Sequence, residues 1–193
     1  MLKIACIPAF NEEKVIVDVI KKCMTYADRV VVCDDGSKDN TGDVSLKAGA
    51  IVLKHEQNQG KGHAMKTLFD YAKKNEVDVM VTIDGDGQFL PEEIPNILEP
   101  ITKDNVDIVI GYRFEDNEEM PAYRKIGNKI LDKFTNLASE LPFRDTQGGF
   151  RSYSKKAINS INITTKGFGV DSEILVDASK KGLNIIERKV TVI

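Results

Sequence analysis

One short stretch of the chain combines residues suited to binding a metal ion. An apolar run over residues 79–83 ends in Asp84-Gly85-Asp86-Gly87-Gln88. Val, Thr and Ile favour a buried strand, and glycine lets the backbone turn sharply and approach a ligand closely. Two carboxylates one residue apart can direct oxygens at one hard divalent cation, and the Gln88 amide oxygen could add a ligand. The pattern therefore predicts a metal-binding turn, although solvated aspartates in an ordinary strand-to-helix loop would look the same.

Three other polar clusters occur elsewhere in the first half of the chain. They are Pro8-Ala9-Phe10-Asn11-Glu12-Glu13, Asp34-Asp35-Gly36-Ser37-Lys38-Asp39-Asn40-Thr41 and Asn58-Gln59-Gly60-Lys61-Gly62-His63-Ala64. The glycines around Lys61 lack the third glycine of a dinucleotide fingerprint, and they do not form a Walker loop. Asn11 and Asp39 could simply cap the helices that follow them. Each cluster alone is therefore a weak signal.

Strands and helices alternate along this half. Apolar patterning predicts strands at residues 1–8, 29–33, 50–53, 77–83 and 106–110, and helices at residues 11–26, 39–48 and 60–74 and from Pro91 onward. The alternation predicts an α/β fold with a mostly parallel sheet covered by helices on both faces. Ligands bind beyond the carboxyl ends of the strands in such sheets. We therefore expect the polar residues after Ile7, Cys33, Ile83 and Ile110 to converge on one edge.

The regular alternation lapses after Met120. We predict one helix over residues 123–141, a glycine-rich segment that becomes a strand over 145–153, a helix over 171–181 and a final strand over 184–193. The last strand pattern is cut short, so we expect the chain to be one domain of a longer protein that could carry membrane helices.

Composition limits the possible partners. The 193 residues suit one domain, and 41% apolar and 30% charged content is typical of a globular protein. A net charge of −3 gives no overall footprint for nucleic acid. We expect no signal peptide and no membrane-spanning run. Cys6, Cys23 and Cys33 are predicted to be reduced packing residues, and no Cys/His spacing suggests a zinc site.

In order and spacing, the four clusters closely resemble the family-2 glycosyltransferases of GT-A fold, and especially the polyprenol (dolichyl) phosphate mannosyltransferases. Two later segments extend the resemblance over nearly the whole chain: Asp145-Thr146-Gln147-Gly148-Gly149-Phe150-Arg151, and Phe168 with Glu173. The resemblance implies a GT-A (Rossmann-like) α/β fold and one catalytic domain over residues 1–193. Residues 1–112 would bind the nucleotide sugar, and residues 113–193 would form the acceptor side.

The resemblance also implies a donor site. Its nucleotide-sugar-binding residues would be Pro8, Ala9, Phe10, Asn11, Glu12, Asp35, Gly36, Lys61, Asp84, Gly85 and Asp86. Asp35 would bond the base, and Lys61 would lie near the donor phosphate or base unless it is simply a solvated lysine. Asp86 and Gln88 would ligate Mg²⁺ or Mn²⁺, while Asp84 would contact the nucleotide or complete the metal shell.

The catalytic and acceptor residues implied are Asp86, Arg113, Arg124, Asp145, Arg151 and Glu173. Arg113 could steady a phosphate through its planar fork, or be an exposed loop residue. A lipid phosphate is already ionised near neutral pH, because its second pKa is about 6, and it needs no strong base. A sugar hydroxyl would need a carboxylate base, for which Asp171 or Glu173 are the candidates.

The expected reaction is inverting, metal-dependent transfer of mannose from GDP-mannose to a polyprenyl phosphate at the cytoplasmic face of a membrane. UDP-glucose is the alternative donor, and a sugar hydroxyl is the alternative acceptor. Two other classes stay open: a phosphohydrolase with Asp84 as nucleophile, and a non-catalytic module that binds a sugar nucleotide.

Overall fold

The computed structural model describes residues 1–113, 143–167 and 169–193, with the Arg113 side chain outside the described part. Seven strands lie in one sheet: β1 (Lys3–Ala9), β2 (Arg29–Asp34), β3 (Ile51–Lys54), β4 (Val79–Thr82), β5 (Ile108–Arg113), β6 (Arg151–Ser154) and β7 (Ile185–Val190). The described helices are α1 (Ile16–Cys23), α2 (Thr41–Lys47), α3 (Lys61–Lys74), α4 (Ile94–Lys103), α5 (Lys155–Ser160) and α6 (Val170–Lys180). A 3-10 turn (Pro91–Glu93) precedes α4.

The sheet has the strand order β3-β2-β1-β4-β6-β5-β7. Only β6 runs antiparallel to its neighbours, and every other neighbouring pair is parallel. The predicted mostly parallel α/β sheet is therefore confirmed. Central β1 pairs with both β2 and β4, placing Ala9 opposite Asp34 and Cys6 opposite Thr82. The polar segments that follow these three strands consequently begin side by side.

Apolar cores lie on both faces of the sheet. Successive β1 residues alternate between them, because side chains along a strand point to opposite faces: Ile4 and Cys6 belong to one core, and Ala5 and Ile7 to the other. Helices α3, α5 and α6 cover the first face, and α1 and α4 cover the second. Both cores hold the carboxyl ends of the strands in fixed positions.

The first helix begins later than predicted. It starts at Ile16 rather than near residue 11, and Val15 rather than Asn11 is its N-cap residue. Asn11 has a positive φ of 60°, a conformation outside the right-handed helix. The predicted helix over residues 123–141 lies outside the described residues, and none of the helices described is long and apolar enough to cross a bilayer.

The three cysteines are buried thiols that pack in the cores. Burial raises the pKa of Cys23 and Cys33 to about 12, and it raises the pKa of Cys6 as well. Since the thiolate is the reactive form, we expect iodoacetamide at pH 8 to leave all three unmodified in the folded protein and to alkylate all three in urea. Intact-mass spectrometry measures this, and rapid alkylation of the folded chain would contradict it.

Candidate active site

A cavity of about 520 Å³ opens where β1, β2 and β4 end. Its walls are Pro8, Ala9, Phe10, Glu12, Asp35, Asn58, Gly60, Lys61, Ala64, Asp84, Gly85, Asp86 and Gly167. All four polar clusters of the first half contribute to this set. The segments after β1, β2 and β4 thus converge as expected. We refer to the cavity that they line as the donor cavity.

The first two polar segments interlock through hydrogen bonds from backbone N–H groups to side-chain oxygens. The Asn11 N–H donates to Ser37 Oγ at 2.9 Å, and the Lys38 N–H donates back to Asn11 Oδ1 at 2.8 Å. The Glu12 N–H donates to Thr41 Oγ1 at 2.8 Å. Asn11 does not line the cavity, so its described contacts hold the wall that Phe10 and Glu12 form.

Asp39 and Glu13 extend this interlock. Asp39 accepts from the Thr41 N–H at 3.0 Å and from the Glu13 N–H at 3.2 Å. These contacts fit a structural role for Asp39 at the start of α2. Glu13 in turn accepts two hydrogen bonds from Asn40, from its backbone N–H and from its side-chain amide, each at 3.0 Å. Both carboxylates therefore fasten the loop after β1 to the start of α2.

Asp35 is a buried wall residue that organises the third polar cluster. Its Oδ1 lies 2.7 Å from His55 Nδ1 and accepts the Gln59 N–H at 3.0 Å, while Oδ2 accepts the Gly60 N–H at 2.8 Å. Gly36 is not part of the cavity wall. Its φ is +70°, and a Cβ there would lie 2.6 Å from the backbone nitrogen of Asn58, so glycine lets the segment before α3 pass against β2.

The start of α3 is covered by residues 164–167. The Gly62 N–H donates to the Lys166 carbonyl at 3.0 Å, and a Cβ at position 62 would lie 2.8 Å from the Lys166 carbonyl carbon. Glu173 holds this covering segment by accepting the Thr164 and Thr165 N–H groups at 2.9 Å each. Burial favours a higher pKa for Glu173, but these hydrogen bonds outweigh it and lower the pKa. Glu173 is thus a positioning residue in the described geometry.

Lys61 bridges two carboxylates across the cavity wall. Its Nζ lies 3.0 Å from Asp84 Oδ1 and 3.1 Å from Asp171 Oδ2. Burial alone would lower the Lys61 pKa, yet the charges of Asp171 and Asp84 raise it above its usual value. The side chain is only 16% exposed, so the solvated-lysine alternative does not fit. The bridge joins the turn after β4 to the start of α6.

Arg151 lies beneath this bridge and is fully buried. Its guanidinium donates to the carbonyl oxygens of Gly148, Asp171 and Thr146 at 2.7–2.8 Å. The expectation that Arg151 holds an anionic acceptor does not match this placement, because its donors are used within the protein interior. Asp145 is also buried, and its Oδ1 accepts the Gln147 N–H at 3.2 Å. Both residues shape the segment before β6.

Replacing Lys61 with methionine should destabilise the fold by about 3 kcal/mol at pH 7.5, because it removes the nearer of the two described cations that face the buried Asp171 carboxylate and leaves Arg151 at 4.0 Å. Burial already raises the Asp171 pKa, and Lys61 opposes that rise. In the variant this pKa rises further, so the folded state holds its proton more strongly and the loss of stability should be larger at pH 7.5 than at pH 5. Urea unfolding at both pH values, without divalent cations, measures the difference.

The control for this variant is Lys66→Met, which breaks an exposed pair with Asp70 one helical turn away. Exposed pairs of this kind contribute little, about 0.5 kcal/mol. Equal losses of stability in the two variants, or the same loss at both pH values for Lys61→Met, would contradict the bridging role of Lys61.

The donor set at the cavity mouth fits a divalent cation. Asp86 is exposed, and its Oδ1 accepts the Gln88 N–H at 3.0 Å. Although its surface is exposed, protein atoms around the Asp86 carboxylate displace water, and this desolvation together with the nearby Asp84 raises the Asp86 pKa. Partial burial, with Asp86, Asp39 and Asp84 nearby, raises the pKa of Glu12. A cation would relieve this repulsion between carboxylates. Asp84 already pairs with Lys61, so Asp86 is the carboxylate better placed to bind a metal.

The described residues contain no group of three or more His, Cys, Asp and Glu side chains that would hold a metal by themselves. Mg²⁺ typically binds through one or two carboxylates together with substrate phosphates, and it retains waters. The site therefore fits a cation that arrives with a diphosphate. Gln88 is exposed and is not part of the cavity wall, so its role as a ligand stays a prediction.

Two residues at the site were not predicted from the sequence, and the side chains of three predicted residues lie outside the described part of the structure. Gly167 in the wall and His55 behind it carry no sequence motif that would single them out, since only the folded chain brings them to α3 and Asp35. Arg124 and Phe168 lie outside the described residues, as does the Arg113 side chain. The roles expected of these three stay predictions.

Comparison with known proteins assigns this geometry to a family. The sequence profile described as Glycosyl transferase family 2 matches residues 4–161. The chain is 34% identical over 204 residues to the UDP-N-acetylglucosamine--dolichyl-phosphate N-acetylglucosaminyltransferase of Methanococcus voltae, covering 94% of this chain and 81% of that enzyme. It is 29% identical over 173 residues to the undecaprenyl-phosphate mannosyltransferase of Micrococcus luteus, covering 84% of this chain and 70% of that enzyme.

A solved structure shares the fold. Glucosyl-3-phosphoglycerate synthase from Mycobacterium tuberculosis, in complex with Mn²⁺, UDP and phosphoglyceric acid, superposes with a TM-score of 0.77 at 22% identity, covering 97% of this chain and 68% of that one. The chain spans about two thirds of the length of such structures. Its fold is GT-A, and the chain belongs to glycosyl transferase family 2.

Proposed function

We propose that this chain transfers a sugar from a nucleoside diphosphate sugar to a polyprenyl phosphate. The observation that carries the proposal is the donor cavity, in which Asp35, Lys61 and Asp86 from three different segments line one space of about 520 Å³. The relatives from Methanococcus voltae and Micrococcus luteus are both named for transfer to a polyprenyl-type phosphate. Family, cavity and relatives support the same reaction class.

Within the donor cavity, each wall has a task in this proposal. The wall from Pro8 to Glu12 and the Asp35 carboxylate bind the nucleoside, and Asp86 would hold a divalent cation, Mg²⁺ or Mn²⁺. The cation, when bound, neutralises the leaving diphosphate and orients it. Lys61 keeps Asp84 in place through its 3.0 Å ion pair. The protein residues thus position the donor and support its departure.

The proposed acceptor follows from the contacts that the two candidate general bases, Asp171 and Glu173, make within the protein. Asp171 is paired with Lys61, and Glu173 is engaged by Thr164 and Thr165. Neither is therefore available to remove a proton from a sugar hydroxyl, which would need a base within hydrogen-bond reach. A phosphomonoester is already ionised at neutral pH. The geometry accordingly favours a phosphate over a hydroxyl as the attacking group.

The donor belongs to one of two classes. Mannose from GDP-mannose is the expectation that follows from the sequence resemblance, and the Micrococcus luteus relative is named as a mannosyltransferase. A UDP sugar is the second class, because the Methanococcus voltae relative is named for UDP-N-acetylglucosamine. A polyprenyl phosphate would bring the enzyme to a membrane surface, and we propose the cytoplasmic face, where nucleotide sugars are made.

The test is an extraction assay with labelled GDP-mannose, UDP-glucose and UDP-N-acetylglucosamine, each offered with polyprenyl phosphate and Mg²⁺ or Mn²⁺. Polyprenol, which has the same chain but a hydroxyl head, is the matched acceptor control. We expect label in the organic phase with the phosphate and none with the alcohol. Equal transfer to both acceptors would contradict the phosphate assignment, and no transfer from any donor would contradict the proposed reaction.

A further inference from the structure

The carboxylate of Asp35 is largely occupied by protein donors. Its side chain is buried in the wall of the donor cavity. Among the described residues, His55 Nδ1 and the Gln59 N–H both contact Oδ1, and the Gly60 N–H contacts Oδ2. Because Asp35 already accepts the Gln59 and Gly60 N–H groups, we assign His55 Nδ1 as the donor of the third hydrogen bond to this carboxylate.

The number of acceptor positions left on Asp35 follows from these contacts. A carboxylate offers about four lone-pair positions, about two on each oxygen. His55 and Gln59 fill both positions on Oδ1, and Gly60 fills one on Oδ2. Counting the described residues alone, one position on Oδ2 therefore remains for a ligand.

Nucleobases differ in how many donors they present to a carboxylate. Uracil presents one, N3–H, flanked by two carbonyl oxygens. Guanine presents two adjacent donors, N1–H and the 2-amino group, which together require both carboxylate oxygens. Burying a hydrogen-bond donor without a partner costs free energy, and binding sites discriminate strongly between ligands in this way. A carboxylate with one position left therefore suits uracil and leaves one donor of guanine unpaired.

We infer that His55 is a positioning residue that fills Asp35 Oδ1, restricts Asp35 to one donor from the base, and thereby selects a uridine over a guanosine diphosphate sugar. This inference rests on the proposed donor site and chooses between its two donor classes. His55 is not part of the cavity wall. It acts on the base only through Asp35.

The His55 ring is fixed from the side opposite Asp35. Its Nε2 lies 2.9 Å from Thr67 Oγ1 and 3.6 Å from Cys33 Sγ. The His63 ring packs edge-on against it, with 5.3 Å between the ring centroids. The imidazole is therefore held in the orientation that directs Nδ1 at Asp35. An arriving nucleobase meets an Asp35 Oδ1 that His55 already occupies.

The first test uses the wild-type protein and three nucleotides, UDP, GDP and inosine diphosphate, titrated by calorimetry with Mn²⁺. Inosine diphosphate is the matched control, since it is a purine that lacks only the 2-amino group of guanine. We expect UDP and inosine diphosphate, whose bases each present one donor, to bind more tightly than GDP, with inosine diphosphate about fivefold tighter because the second donor of guanine lacks a partner. GDP binding as tightly as inosine diphosphate, or more tightly than UDP, would overturn the inference.

The second test uses the variants His55→Ala and His55→Asn. Alanine frees the position on Asp35 Oδ1, so we expect the ratio of GDP to inosine diphosphate affinity to rise about fivefold. Asparagine places an amide donor near the position of Nδ1, so the wild-type ratio should be retained. An unchanged ratio in His55→Ala would overturn the inference. If that variant does not fold, as judged by thermal unfolding, the wild-type titrations decide.

The outcomes also separate this inference from the proposed function. Wild-type protein that binds none of the three nucleotides with Mn²⁺ would contradict both. Wild-type protein that binds all three equally would leave the proposed transfer reaction standing and would overturn the role of His55.

Discussion

Asp86→Asn is expected to lower kcat/KM for sugar transfer by about a thousandfold. The substitution keeps the size of the side chain and removes the charge that holds the cation at the cavity mouth. A catalytic metal contributes several kcal/mol of transition-state stabilisation, and about 4 kcal/mol corresponds to a factor of about a thousand. Within the described part of the chain, the Asp86 carboxylate accepts a hydrogen bond only from the Gln88 N–H, so stability should change little.

Asp70→Asn is the control for this substitution, since Asp70 is an exposed helical residue paired with Lys66 and is not part of the donor cavity. Initial rates of labelled-sugar transfer and urea unfolding should be measured on both variants. Retained activity in Asp86→Asn, with its dependence on divalent cation unaltered, would contradict the metal assignment.

Gly149→Ala is expected to lower kcat/KM by about a hundredfold through Asp84. A Cβ at position 149 would lie 2.5 Å from Asp84 Oδ1 and 2.6 Å from Asp84 Cγ, so the carboxylate must shift from the position in which it pairs with Lys61. Misplacement of this order in an active site can reduce the rate about a hundredfold. Overpacking should also destabilise the fold by about 1–3 kcal/mol. Transfer rates and urea unfolding measure the two effects separately.

Gly169→Ala provides the comparison, because a Cβ at that position would be 3.6 Å from its nearest neighbour, Thr165 Cγ2, which is an ordinary contact. We expect it to fold and to catalyse at close to the wild-type rate. A Gly149→Ala enzyme that is equally active would show that the Asp84–Lys61 pair can shift without consequence for the reaction.

The sequence predicted the sheet well because its strands are apolar and regularly separated. The strand predicted over residues 77–83 lies between two helical patterns, and the structure has a strand at Val79–Thr82. The convergence of the segments after β1, β2 and β4 also followed, because parallel strands deliver their carboxyl ends to one edge. The start of α1 was misplaced, since Asn11 and Glu12 have helical spacing but bond to Ser37 and Thr41 instead.

Side-chain roles on the acceptor side were harder to predict. Arg151 and Glu173 carry charges that suggest ligand binding, but their partners are carbonyl and N–H groups brought close only by tertiary contacts. Burial of an arginine is not visible in a linear pattern. The Lys61–Asp171 pair joins residues far apart in the chain for the same reason. Sequence therefore predicted which segments converge better than what each charged side chain contacts.

The structure of this chain with UDP and Mn²⁺ bound is the measurement that tests the donor site most directly. We expect the uracil N3–H to donate to Asp35 Oδ2 and the cation to lie about 2.0–2.3 Å from an Asp86 oxygen, a distance typical of divalent cations bound to carboxylates. The diphosphate should complete the metal coordination within the donor cavity. A nucleotide bound elsewhere, or a cation bound without Asp86, would contradict the proposed site.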